Sequence, residues 1–140
     1  MLPERPAPFE EAAADELRRH LLAMLGLPPV NRWDHAIPAE RKTISLCINC
    51  RNREQAAGLN AQELAPSAES FYLAPAGNTF FIIGGGARGT LYGVYELLDC
   101  LGCRWFTPEV THIPRRQDLD LPDEPVSGQP AFEYRDILCW

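Results

Sequence analysis

Residues 80–106 read FFIIGGGARGTLYGVYELLDCLGCRWF, and the chain can be worked out in both directions from this stretch. Phe80–Ile83 has no polar face, as a strand covered on both sides requires. Gly84, Gly85 and Gly86 follow at once. Leu91, Val94, Tyr95, Leu98 and Leu101 then recur at spacings of three and four, which sets them on one stripe of a helix over 87–101. Gly102 stands where a helix of that length ends. Residues 103–106 read as a further short strand.

Upstream, Pro75-Ala76-Gly77-Asn78 is turn chemistry between two strand-like runs, 70–74 and 79–83. The Phe80–Ile83 strand is therefore the second arm of a hairpin. Thr43–Asn49 alternates, with Ile44, Leu46 and Ile48 on one face and Thr43, Ser45 and Cys47 on the other. Residues 51–69 are polar, with a short helix predicted around 61–64. A longer helix is predicted over 9–25, where Phe9, Ala13, Leu17, Leu21 and Met24 share a face. Gly26 and Pro28-Pro29 end it, and residues 28–42 read as a loop. Downstream, 118–121 alternates and reads as an edge strand. Residues 122–130 read as a linker, and 131–140 as the start of a new strand-like pattern. The sum is an α+β fold, a mixed sheet of about four or five strands with two main helices on one face.

The 140 residues suit one domain, and a hydrophobic share of 46% supplies its core. Thirteen Lys and Arg against nineteen Asp and Glu give a formal charge of −6, so a nucleic acid is not an expected partner. No apolar run approaches the ~20 residues of a membrane span, so no membrane partner is expected. The N-terminus lacks the basic-then-apolar order of a secretory signal, which favours the cytoplasm. The five cysteines, 47, 50, 100, 103 and 139, are an odd number and do not read as a disulfide framework.

Two motifs invite a chemical reading. Gly84-Gly85-Gly86-Ala87-Arg88-Gly89 satisfies G-x-G-x-x-G between a strand and a helix, and Glu109 lies downstream. A hairpin arm is the wrong strand to precede a dinucleotide site, and no further strand–helix alternation follows. Two uses of the turn are expected: first a tight structural corner, and as the alternative an anion- or nucleotide-binding module over Gly84–Gly89, with Gly85, Gly86 and Arg88 holding the anion at a helix N-terminus. The second motif is the pair of C-x-x-C spacings, Cys47/Cys50 and Cys100/Cys103. Cys47 and Cys50, three apart on a strand, point to opposite faces, and packing thiols fit better than a zinc site or a redox pair. No cofactor is expected. His20, His35 and His112 are scattered and read as surface or loop residues. No nucleophile elbow, P-loop lysine or paired carboxylates are present, so no catalytic residue is assigned.

Residues 80–109 resemble the small N-terminal domain that precedes the catalytic barrel in several glycoside hydrolases. These are the family 67 α-glucuronidases, the family 20 β-N-acetylhexosaminidases and a related uncharacterised bacterial family. Arg88, Gly89, Tyr92, Gly93, Tyr95, Leu101, Gly102, Arg104, Trp105, Phe106 and Pro108 carry the likeness. It implies a zincin-like α+β domain without the metal, and makes Arg88, Gly89, Tyr92, Tyr95, Arg104, Trp105 and Phe106 structural or domain-interface residues. It also implies a division into an accessory domain over 1–122 and, over 123–140, a linker with the beginning of a barrel. QPAFEYRDIL, 129–138, is similar to the approach to the first barrel strand. The expected partner is that barrel, or a second copy of the chain paired through the C-terminal strand. The catalytic carboxylates of such enzymes lie on the barrel, which needs roughly 250 residues, so none has a counterpart here.

Overall fold

The computed structural model describes residues 8–26, 43–48, 61–133 and 135. In chain order the elements are α1 (Pro8–Leu25), β1 (Thr43–Ile48), α2 (Ala61–Leu64), β2 (Phe71–Ala76), β3 (Thr79–Gly84), α3 (Ala87–Cys100), β4 (Arg104–Trp105), β5 (Thr111–His112) and β6 (Val126–Gly128). Four strands form one mixed sheet in the order β1-β3-β2-β6, and β4 and β5 form a separate small hairpin. The fold is α+β.

β3 is central because its sequence is apolar on both faces. It runs parallel to β1, with Leu46 opposite Ile82, and antiparallel to β2, with Leu73 opposite Ile82. Every residue of β3 is buried. Phe80 and Ile82 face the two long helices, joining Leu46, Leu73, Ala13, Leu17, Leu21, Met24, Val94, Leu97 and Leu98 in the main core. Phe81 and Ile83 face the other way and pack with Ala65 of the segment after α2. Alternation along a strand thus splits four consecutive apolar residues between two cores. Among the described residues no helix is long and apolar enough to cross a membrane.

The structure corrects the sequence reading in four places. The β2–β3 connection is a two-residue turn, Gly77-Asn78, with Gly77 at φ +59°, so Pro75 and Ala76 belong to β2. Pro75 is tolerated there because β6 reaches only Phe71–Leu73, and no described strand asks for the missing N–H at 75. Residues 118–121 form no strand. The edge strand is instead Val126–Gly128, inside the stretch read as a linker, and it pairs antiparallel with Phe71–Leu73. β5 was not foreseen, since two residues carry no periodicity. Residues 131–133 continue without strand structure, and the rest of the expected C-terminal strand lies outside the described residues apart from Arg135.

Candidate functional site

The glycine corner joins β3 to α3. Gly86 caps the helix with extended backbone, φ −166° and ψ −167°, and offers no side-chain cap. The Gly85 N–H donates to the Ser70 carbonyl at 2.9 Å, and the Gly89 N–H donates to the Ala68 carbonyl at 3.1 Å. The Thr90 hydroxyl donates to the Gly86 carbonyl at 2.9 Å. Residues 65–70 therefore lie against the corner. A Cβ on Gly85 would fall 1.8 Å from the Ser67 oxygen, and one on Gly89 would fall 2.1 Å from the Ser70 oxygen. The buried Ser70 locks that segment, since its Oγ donates to the Ser67 carbonyl at 2.8 Å and accepts from the Ser67 N–H at 2.9 Å.

Of the three anion candidates, Gly85 spends its N–H on Ser70, and Gly86 accepts from Thr90 through its carbonyl. Arg88 donates to Glu69 at 2.8 Å, with its side chain three-quarters exposed. A side chain at Gly85 or Gly89 would collide with the backbone of the segment that lies against the corner. After α3 the chain passes to the β4–β5 hairpin and not to a parallel strand beside β3, so the dinucleotide arrangement is not built.

A second cluster joins α1, α3 and the β4–β5 hairpin. The Tyr95 hydroxyl donates to Glu16 Oε1 at 3.0 Å, and Arg19 donates to the same carboxylate through two nitrogens, at 2.8 and 3.2 Å. Burial pushes the Glu16 carboxyl up. The hydrogen bonds from Arg19 and Tyr95, with the Arg19 charge, outweigh that and bring it below its ordinary value. Burial also raises the Tyr95 phenol, as does its bond to Glu16. Trp105 meets His20 and Tyr95 edge to face, at centroid distances of 5.7 and 5.2 Å.

His20 corrects the sequence reading, because it is fully buried and not a surface residue. Its Nδ1–H donates to the Glu16 carbonyl at 3.0 Å. The signal was present: 13, 17, 20 and 24 follow the helical stripe of α1. Arg104 is held by Asp99, donating to its side chain and its carbonyl, each at 2.8 Å. Beyond this anchored frame Phe106 projects with 69% of its surface exposed and Val110 with 53%.

A third feature is an open groove of ≈540 Å³ lined by Phe71, Tyr92, Glu96, Gln129, Phe132 and Arg135, among others. Arg135 donates to Glu69 at 2.6 Å, and its guanidinium lies 5.8 Å from the Tyr92 ring centre. Glu69 therefore holds two arginines, Arg88 and Arg135. Their hydrogen bonds draw its carboxyl below the ordinary value. Sequence reading missed this group, since Glu69, Arg88 and Arg135 lie far apart in the chain and share no periodicity.

Cys103 is buried and Cys100 is exposed; both are free thiols. Burial raises both above the ordinary thiol value, which disfavours the thiolate. Among the described residues no three metal-ligating side chains converge. Cys50 and Cys139, and the side chain of Cys47, lie outside them.

No family profile matches the chain, and no curated protein matches it. Solved structures do. One is a family GH115 4-O-methyl-α-glucuronidase with specificity for decorated arabinogalactans. It is 23% identical at a TM-score of 0.69, over 91% of this chain and 17% of that one. Another is a GH138 enzyme targeting pectin rhamnogalacturonan II. It is 20% identical at a TM-score of 0.50, over 90% of this chain and 11% of that one. The likeness is one of fold, and this chain spans less than a fifth of the length of either.

Proposed function

We propose that this chain is a non-catalytic accessory domain of a carbohydrate-active enzyme, which braces a catalytic barrel and performs no chemistry of its own. The observation that carries the proposal is the pairing of coverages. Nine-tenths of this chain matches a small part of a much longer glycoside hydrolase, with a TM-score of 0.69. Three features of the chain support it. The amides at Gly85 and Gly89 are spent on the protein's own carbonyls. Its one close carboxylate–imidazole pair among the described ion pairs, Glu16 and His20 at 3.6 Å, has its imidazole fully buried in the α1–α3 contact. The hairpin after α3 is fixed on its inner side by Trp105 and displays Phe106 and Val110 outward, as a docking element would.

Within this reading, residues 1–122 form the accessory domain proper, with β6 added to its sheet by the segment that follows. Residues beyond 128 lead toward the barrel. Arg88, Gly89, Tyr92, Tyr95, Arg104 and Trp105 keep the corner and hairpin in shape, and Phe106 meets the partner. The finer assignment to a glucuronidase or hexosaminidase lineage rests on the Arg88–Pro108 motif alone.

The test is a panel of chromogenic aryl glycosides and glucuronides, with calorimetric titration of ATP and NAD against the same preparation. The expected result is no turnover and no binding. Turnover proportional to chain concentration through successive purification steps would refute the non-catalytic reading. Micromolar nucleotide binding lost in Arg88→Met would replace it with an anion-binding module at the glycine corner.

A further inference from the structure

Residues 129–133 cross the outer side of Phe71 and Tyr92 with little burial of their own. Gln129, Ala131, Phe132 and Glu133 are all exposed, Phe132 by 73%. β6 holds the chain only as far as Gly128. Apolar packing therefore does little to fix the path after β6. What fixes it is polar: Arg135 donates to Glu69 Oε2 at 2.6 Å, and the other Glu69 oxygen is occupied by Arg88 at 2.8 Å. Arg135 also reaches the Tyr92 hydroxyl at 3.4 Å and lies over the Tyr92 ring. Arg88 lies in the first turn of α3 and Glu69 precedes β2, so the clamp sits on the glycine corner, which is itself tied by backbone hydrogen bonds.

We infer that Glu69 is a positioning residue, a carboxylate clamp that ties Arg135 to the glycine corner and so sets the direction in which residues 129–133 leave the sheet. The inference rests on the accessory-domain reading only for its purpose, since a fixed exit path orients whatever follows. The clamp itself is a property of this chain alone. A charge-assisted hydrogen bond, here one guanidinium nitrogen on one carboxylate oxygen, gives direction as well as attraction. At the surface it is weak enough to yield to salt, because the screening length falls to about 3 Å at 1 M.

The experiment is backbone ¹⁵N relaxation on the full chain, compared with Glu69→Gln, Arg135→Met and Arg135→Lys. In the wild type the heteronuclear NOE at Ala131 and Phe132 is expected to match that of α3. It should fall by at least half in Arg135→Met and Glu69→Gln, and in the wild type at 1 M salt, with the α3 values unchanged. Arg135→Lys should restore part of the order, which loss of a merely space-filling side chain would not predict. Arg135 lies outside the sheet and helices, so its substitution tests the clamp without unfolding the domain. Order at 131–132 that survives Arg135→Met, or is absent from the wild type, overturns the inference. Either result leaves the accessory-domain reading standing, because turnover and nucleotide binding decide that separately.

Discussion

Gly85 shows how much one residue decides. A methyl group there would meet the Ser67 oxygen at 1.8 Å and the Ala65 oxygen at 2.6 Å, both backbone atoms that cannot rotate away. Overpacking of this kind costs about 1–3 kcal/mol or more. Gly77 is the control. Its φ of +59° disfavours an L side chain, but a Cβ there meets nothing within 4 Å, so Gly77→Ala is expected to cost only about 1 kcal/mol. Urea unfolding should place Gly85→Ala well below Gly77→Ala in stability. If the corner were an open ligand cradle, Gly85→Ala would leave the unfolding midpoint where it is. The residue scale is also where sequence reading was weakest. The run GGGARG is visible in the sequence, but both its uses require glycine. The sequence does not show that the backbone of Ser67 and Ser70 packs against the corner, which is where the folded chain adds to the reading.

Among the elements, the contact between α1 and α3 is read most clearly through Glu16 and Tyr95. Glu16 titrates lower in the folded chain than in the unfolded one. The stability this contributes is therefore present above the unfolded value, roughly pH 4.3, and is lost as pH falls through the folded value. Tyr95→Phe removes a hydrogen bond to a charged acceptor and is expected to cost about 1–2 kcal/mol at pH 7. The difference between wild type and Tyr95→Phe should shrink as the pH is taken from 6 to 3, followed by denaturant unfolding at each pH. A difference that stays constant across that range would mean that the Glu16 charge does not contribute.

Periodicity made α1, α3, β1 and β3 legible, because each is long and has a clear apolar stripe or face. β5 and β6 were not legible. They are two and three residues long, and their pairing is decided by where β2 and β4 present an edge. The false strand at 118–121 has the opposite cause. Its alternation is real, with Leu119 and Leu121 partly buried against the main core, but among the described residues it pairs with no strand.

At the scale of the molecule, the chain is a four-stranded mixed sheet with two long helices on one face and a small hairpin at the end of α3. The fold class was readable from the order of elements around residues 80–106. The role was not, because the features that stand out at the surface, Phe106 on its hairpin and the Glu69–Arg135 pair beside Phe132, are brought into view only by folding. The same arrangement occupies a minor part of far longer glycoside hydrolases.

The most direct test of the proposed bracing role is thermal unfolding of a polypeptide in which this chain is placed ahead of a glycoside-hydrolase barrel, compared with the same polypeptide lacking residues 1–122. The account predicts that the truncated form melts several degrees lower, while the folded fraction keeps the same turnover number. Identical melting in the two forms, or a truncated form that folds normally and has lost its chemistry, would contradict it.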